Sequence, residues 1–507
     1  MLGNIVVGLS VAFQPFNILI VAAGVALGIC FGALPGLSAS MGVAVLIPLT
    51  YSMDPVPGLI MLAGVYCGAT YGGSISAVLI NTPGTPANAA TALDGHAMTK
   101  LGKGKEALTE SIVASFWGGI ISALALLLIA PALARFSLRF GPQENALLGV
   151  FGLTIIASLC SKSLLKGAIG GVLGLLIACV GMDPVTGWPR YTFNSMGLLT
   201  GVPQVPALIG LYSISQVLSM VIAKQRYIVN DDVLNEMKTK KASLRDLIRY
   251  PRIYLESGII GVIVGIIPGA GGNIASFLSY NEAKRLSKTP EEFGHGSREG
   301  VAASEAGNNG VTGGALIPML TLGIPGNAVT AILLGGLMIQ GLYPGNDLFT
   351  NRANITYPFI IGFFLANLFM LLEGLFASTW FAKIVKVPSN FLAAGILVLT
   401  IVGAFAINNS MSDVYVMLVF GVIGFVLKQI DFDPTPIVLG MILGSITERG
   451  LMQSITLNHG MLPALQSMLT RPICLVLIAM SLVSLAVPLY QARKTAKKAV
   501  DPGRPRP

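Results

Sequence analysis

Charge is scarce in this chain. Only 11% of its 507 residues are Asp, Glu, Lys or Arg, and 53% are hydrophobic, whereas a soluble domain carries about 25% charged residues. Residues 1 to 99 contain no Lys or Arg and only two acids, Asp54 and Asp94. A water-exposed domain needs polar residues spread over its surface, so that stretch excludes one, and lipid is the solvent the composition implies. Metal-site and redox spacings are missing too. The five cysteines, Cys30, Cys67, Cys160, Cys179 and Cys474, sit in apolar segments without a Cys-x-x-Cys pair, which argues against a disulfide framework or a thiolate metal site. His96, His295 and His459 are scattered with no His-Glu-x-x-His, and no Gly-x-x-x-x-Gly-Lys-Ser/Thr occurs. Neither metal catalysis nor an ATP site on this chain is expected, and no cofactor.

What the chain does have is apolar runs of about 20 residues, long enough to cross about 30 Å of hydrocarbon. They are expected near 16–34, 58–80, 108–133, 144–160, 164–181, 197–222, 253–267, 311–322, 328–343, 355–380, 390–407, 411–427, 433–446 and 471–490. Several are too short to cross alone. The expected fold class is therefore an all-α, polytopic membrane protein with roughly twelve spans plus re-entrant hairpins. Met1 to Leu9 lacks the basic flank of a secretory signal, and is read as retained. The net charge of +9 is concentrated in Lys224 to Arg252, with eight Lys/Arg against four acids, and in the tail from Arg493 to Arg506. Both abut apolar spans, so cytoplasmic anchoring of a lipid-embedded chain explains them better than nucleic acid does. Lys224 to Arg252 also suits an amphipathic surface helix.

That segment divides the chain into repeating halves. Gly28-Ile-Cys-Phe-Gly32-Ala-Leu-Pro35-Gly36 is echoed by Gly261-Val-Ile-Val-Gly265-Ile-Ile-Pro268-Gly269, and Asn88-Ala-Ala-Thr-Ala-Leu93 by Asn327-Ala-Val-Thr-Ala-Ile332. The expected organisation is a first transmembrane repeat at 1–223, a cytoplasmic linker at 224–252, a second repeat at 253–490 and a basic cytoplasmic tail at 491–507. Counting spans back from each basic segment puts Lys100, Lys103 and Lys105 inside and the equivalent Tyr343 to Asn354 outside. Opposite placement of equivalent segments means inverted repeats.

Pro and Gly clusters interrupt the apolar runs four times: at Pro35, Gly36, Ser38 and Ser40; at Asn81, Thr82, Pro83, Gly84, Thr85 and Asn88; at Pro268, Gly269, Gly271 and Asn273; and at Pro325, Gly326 and Asn327. Irregular backbone survives in a bilayer only where it is buried in protein or lines a wet cavity. A broken helix offers amides to a carboxylate at its N-terminal side and carbonyls to a cation at its C-terminal side. Ordinary packing kinks are the plainer reading of any one cluster. The four clusters in matched pairs point to a substrate and cation site that holds an anion without Lys or Arg, by dipoles, hydroxyls, amides and co-bound Na⁺ or H⁺. Glu305, Asn308 and Asn309 are expected to approach it where the chain re-enters the membrane, the rest of Glu282 to Asn309 being a solvated connector. Asp94 is expected to be exposed at the interface beside Lys100, since a buried acid costs about 2.5 to 3.5 kcal/mol on insertion scales.

The signatures Gly32-Ala-Leu-Pro-Gly-Leu37, Tyr71-Gly-Gly-Ser-Ile-Ser-Ala-Val-Leu-Ile-Asn-Thr-Pro-Gly84, Glu305-Ala-Gly-Asn-Asn-Gly-Val-Thr-Gly-Gly314 and Leu322-Gly-Ile-Pro-Gly-Asn327 resemble those of the large membrane subunit of the tripartite tricarboxylate transporters. The resemblance spans about residues 15 to 490. It implies a multi-pass symporter of the bacterial inner membrane, driven by Na⁺ or H⁺. Its partners would be a small four-helix membrane subunit and a periplasmic solute-binding protein that delivers citrate or a related carboxylate, and a homodimer stays open. It also implies distant kinship with elevator-type transporters, in which tips pair within each half: Pro35 to Ser40 with Asn81 to Asn88, and Pro268 to Asn273 with Pro325 to Asn327. Three other readings compete. The large subunit of TRAP-type carboxylate transporters would share broken helices but lacks these signatures. An anion channel is compatible with inverted broken helices. An intramembrane enzyme would need a paired nucleophile and base or a metal set, and none is visible.

Overall fold

The computed structural model describes residues 2–159, 163–183, 186–223, 244–384 and 387–500. They are helical apart from short connections and one antiparallel ribbon, Gly181–Met182 with Pro189–Arg190. Among the described residues, seven helices are long and apolar enough to cross a membrane singly, or eight if Met461–Thr470 and Pro472–Ala486, bent by 90°, form one span. Twelve were expected. Part of the difference comes from expected spans that are short helices, such as Leu164–Ala178 at 15 residues and Ala328–Ile339 at 12. Most of the expected cytoplasmic linker lies outside the described residues; Leu244–Ile248 at its end is a 3-10 turn.

The chain forms two compact units, one of residues 1–137 with 203–426, the other of 138–202 with 427–507. Each half of the sequence contributes to both.

The first unit contains α1 (Leu2–Ala12), α2 (Pro15–Ala33), α3 (Ala39–Tyr51), α4 (Pro55–Ile80), α5 (Ala89–Lys100), α6 (Gly104–Ser137) and the helix after the ribbon, Gln204–Ile222, which has a π turn at Gly210–Ile214. From the second half it takes Pro251–Ile266, Gly271–Leu286, Arg298–Leu322, Ala328–Ile339, Ala353–Phe376, Ser389–Asn408 and Met411–Gln429. Glycines let the central helices touch through their backbones, which is how helices associate when lipid removes the hydrophobic drive between them. A Cβ built on Gly24 or Gly28 of α2 would stand 2.5 Å from the carbonyl oxygen of Met61 or Val65 on α4. The second half repeats the device. Gly261 of Pro251–Ile266 meets the Gly307 carbonyl of Arg298–Leu322, and a Cβ on Gly310 would stand 2.6 Å from the Gly258 carbonyl oxygen.

Arg298–Leu322 corrects the sequence reading. The span expected at 311–322 begins at Arg298, where Ser297 caps it by accepting from the Gly300 amide at 3.3 Å, and residues 300–321 are all buried. The part of the expected solvated connector from Gly300 onward is helix core, while residues 282–299 are mostly exposed or half-buried. Its polar residues are small enough for close packing, which a hydropathy reading does not register.

The second unit contains Pro142–Leu159, Leu164–Ala178, Thr435–Leu457, Met461–Thr470 and Pro472–Val500. Gly440 packs on the Gly171 carbonyl, and a Cβ on Gly450 would stand 2.8 Å from that of Pro142. Charges here are paired: Arg190 with Asp183 at 3.1 Å and Glu448 at 2.5 Å, and Arg471 with the buried Glu144 at 2.7 Å.

Gly28→Leu or Gly261→Leu should therefore lower the thermal stability of the purified protein in detergent by about 1–3 kcal/mol or more, the usual cost of overpacking. Gly3→Leu, whose Cβ would meet nothing within 4 Å, should leave it unchanged.

Candidate functional site

All four breaks lie in the first unit. After α2 the chain turns through buried Pro35 and exposed Gly36, which has φ +87°, and restarts at α3, where the Ser38 hydroxyl accepts from the Met41 amide at 3.2 Å and Ser40 is buried in the first turn. The equivalent break turns through buried Pro268 and Gly269, with φ +79°, and restarts at Gly271–Leu286, which leaves Asn273 exposed on its first turn. The other two breaks also match. α4 ends in left-handed Asn81 (φ +54°) and Arg298–Leu322 in left-handed Gly323 (φ +71°). Thr82 donates to the Ile80 carbonyl at 3.3 Å, and past Pro83 the Gly84 amide donates to the Gly73 carbonyl at 3.2 Å. Gly84 is pressed on the carbonyl of Gly32, and a Cβ on Gly326 would stand 2.6 Å from that of Gly265. Thr85 donates to Asn88 at 2.6 Å ahead of α5. Asn327 caps Ala328–Ile339, accepting from the Thr330 amide at 2.9 Å while its own amide receives the Thr330 hydroxyl oxygen as acceptor at 3.0 Å.

The tips touch within the second half, where the Gly269 amide donates to the Gly326 carbonyl at 2.8 Å. The restarted helices, however, pair crosswise. α3 packs against Ala328–Ile339, with Gly336 on Ile47 and the Gln340 side chain donating to the Thr50 carbonyl at 2.9 Å. Residue numbers rise together along both, so they run in the same direction and their starts lie side by side, with Tyr66 of α4 accepting from Asn327 at 2.7 Å. The other pair is α5 with Gly271–Leu286. Gly272 packs on Ala87 at the start, and Tyr280 and Ala283 pack on Ala90 farther along. First-turn amides have no helical partner, so each pair brings together two positive helix ends.

One pair has a carboxylate of the protein beside it. Glu305 is wholly buried. Its Oε1 accepts from Asn88 at 3.0 Å and Thr91 at 2.5 Å, and its Oε2 from Ser115 at 3.0 Å. Asn309 donates to Ser115 at 2.9 Å, and Thr91 and Ser304 share a hydrogen bond at 2.9 Å. The Asn308 amide nitrogen and the Asn309 amide oxygen are buried without a hydrogen-bond partner. No Lys, Arg or His bonds to Glu305 among the described residues. A helix N-terminus contributes up to about 2 kcal/mol toward holding an anion, while stripping an ionised group of water costs several kcal/mol. Most of that cost is left to hydrogen bonds and to whatever positive charge occupies the cluster. Tyr66, Thr91, Ser115 and Ser304 escaped the sequence reading. Thr91 sits in the quoted echo and Ser304 in the stretch read as a connector, while Tyr66 and Ser115 are polar residues in runs that otherwise read as packing.

A profile of the Tripartite tricarboxylate transporter TctA family matches residues 18–439. The chain belongs to this family. Two proteins of Agrobacterium vitis are similar to it. An uncharacterized 52.8 kDa protein in the TAR-I ttuC′ 3′ region is 35% identical over 501 residues, 99% of this chain and 98% of that protein. An uncharacterized protein in the TAR-II ttuC′ 3′ region is 34% identical over 240 residues, 47% of this chain and 98% of that one. The TctA chain is thus a multi-pass membrane subunit of a tripartite tricarboxylate transporter, a family of transporters and not of enzymes.

Near these paired helices the TctA chain keeps two further acids, and the first corrects the sequence reading. Asp94 is not exposed beside Lys100 but fully buried. Its Oδ1 accepts from the amides of Gly294, Gly296 and Ser297 at 2.7, 2.9 and 2.9 Å, so the loop ahead of Arg298 folds around it. The positive φ of Gly294 (+90°) and Gly296 (+110°) lets successive amides point at one oxygen, a nest that offsets the burial cost. The second acid, buried Glu110, accepts from Tyr254 at 2.7 Å and from Arg298 at 3.1 Å, and Arg298 also reaches Asp246 at 3.5 Å.

Asp94→Ala leaves three amides without their acceptor, each worth about 1–3 kcal/mol when buried. Thermal unfolding in detergent should show a loss of about 3 kcal/mol or more, with Asp94→Asn recovering part of it.

Proposed function

We propose that this chain is the transmembrane subunit of a binding-protein-dependent, cation-coupled importer of tricarboxylates or related carboxylates. It works in the bacterial cytoplasmic membrane with its C-terminus inside, alongside a small four-helix membrane subunit and a periplasmic solute-binding protein. The observation that carries this reading is the crosswise pairing of four restarted helices, each pair taking one helix from each half. Inverted repeats produce that arrangement at a shared site near the bilayer midplane, and elevator-like transport moves the body that carries it.

The two pairs are not equivalent. The start of α5 faces Glu305. The start of α3 and Asn327 have no carboxylate among their bonded partners in the described residues, and offer Ser38, Ser40, Tyr66 and first-turn amides. A substrate carboxylate is therefore assigned to the α3 and Asn327 pair, held by dipoles and neutral donors. Family membership favours this reading over the TRAP-type subunit. An anion channel would use the same dipoles without coupling.

The test is uptake of labelled carboxylate into proteoliposomes that hold both membrane subunits, with the binding protein outside. The expected result is accumulation against the substrate gradient that stops when the binding protein or the cation gradient is removed. Equilibration without accumulation would identify a channel. Asn327→Ala should lower uptake by about tenfold, the worth of one hydrogen bond to a charged group. Asn81→Gly should transport normally, because the exposed Asn81 serves mainly through its left-handed backbone.

A further inference from the structure

We infer that Glu305 is the seat of the coupling cation, which loads among Glu305, Thr91, Ser115 and Asn309; this rests on the importer reading above. The duplication supplies the first reason. The offset of 242 that relates Pro83-Gly84 to Pro325-Gly326 places Glu305 opposite Ala63. The same offset pairs Gly68 with Gly310 and Gly72 with Gly314, and all of these pack against the preceding long helix of their own half. The fold therefore forms without an acid at the equivalent position. Prolines, glycines and caps recur in both halves, but the carboxylate is present in one.

Unsatisfied atoms supply the second reason. The Asn309 amide donates to Ser115, whose hydroxyl donates to Glu305 Oε2, so the unpartnered oxygen of Asn309 belongs to the same cluster. The Tyr71 hydroxyl, also buried and without a hydrogen-bond partner, lies within electrostatic reach of Glu305. A monovalent cation placed here meets carboxylate, hydroxyl and amide oxygens, the hard donor set that Na⁺ takes. A proton would rest on Oε2, which has one donor where Oε1 has two.

The bonds around Glu305 also explain how a cation there would couple to the helix starts. Asn88 and Thr91 open α5, and Thr85 ties Asn88 to the break at Pro83-Gly84. Asn308, one turn along from Glu305, lies against Gly272 at the start of the partner helix. Neutralising Glu305 weakens the bonds that hold the start of α5.

The nearest buried or half-buried titratable groups on the surrounding helices have contacts of their own. Asp94 on α5 has its three amides and His96 the Val78 carbonyl. Glu110 on α6 has Tyr254 and Arg298, and Tyr280 packs on Phe293. Tyr71 on α4 is the one with an electrostatic link to Glu305.

The experiment compares wild type with Glu305→Gln in the complete reconstituted system, measuring substrate exchange at equal cation on both sides and accumulation under a cation gradient. The expected result is that the ratio of accumulation to exchange falls about 50-fold per 100 mV of driving force, the worth of one elementary charge. An unchanged ratio overturns the inference. Wild type that never accumulates substrate overturns the importer reading instead. Thermal unfolding in detergent decides the case in which exchange is lost as well. Wild type should be stabilised by Na⁺ at constant ionic strength, or by acidification if the cation is a proton, and Glu305→Gln by neither. The same stabilisation in the variant overturns the inference.

Discussion

Main-chain polar groups cannot be left open in an apolar solvent, and this protein breaks four helices while observing that constraint. Each break is closed by backbone at very short range. Gly84 lies on the Gly32 carbonyl and donates to the Gly73 carbonyl; Gly326 lies over Gly265 and accepts from the Gly269 amide. Only residues without a Cβ fit there. The exposed starts and ends that carry the proposed chemistry exist because these contacts hold the chain open at defined places.

The same economy governs charge. Acids are few, and three buried ones in the first unit are each held in a different way. Asp94 is wrapped by three amides and Glu110 is neutralised by Arg298 and bonded by Tyr254. Glu110 has a cation of the protein, and Asp94 has a nest of main-chain amides on one oxygen. Glu305 has three neutral side chains as partners and no cation of the protein among the described residues. It leaves room for an ion that comes and goes, which is the difference between a structural charge and a working one.

Duplication with divergence explains the inequality of the two helix pairs. Backbone features recur because both halves need the same breaks: left-handed Asn81 and Gly323, turning Gly36 and Gly269, capping Asn88 and Asn327. Side chains beside the helix starts are free to differ. Tyr66 faces one cap and Glu305 the other, so a pseudo-symmetric frame presents one donor-lined and one acid-lined position.

Much of this was legible in the residues themselves. Long apolar runs and the rarity of charge required a helical membrane protein, since only internally bonded backbone crosses lipid. The Pro-Gly clusters marked the breaks, because these residue types have local backbone preferences that no context removes. The repeats at Gly28 to Gly36 and Gly261 to Gly269 marked two breaks that turn alike, at Gly36 and Gly269. What the residues could not state is which distant pieces meet. Crosswise pairing joins helices more than 180 residues apart, and the three amides around Asp94 come from a loop 200 residues away. Whether an acid such as Asp94 or Glu305 is solvated or buried depends on those meetings. The continuous helix from Arg298 escaped for a related reason: Ser, Asn and Gly read as connector by polarity, yet when packed they let helices approach most closely. Local backbone chemistry is written residue by residue, but the partner of a buried polar group is a property of the assembled fold.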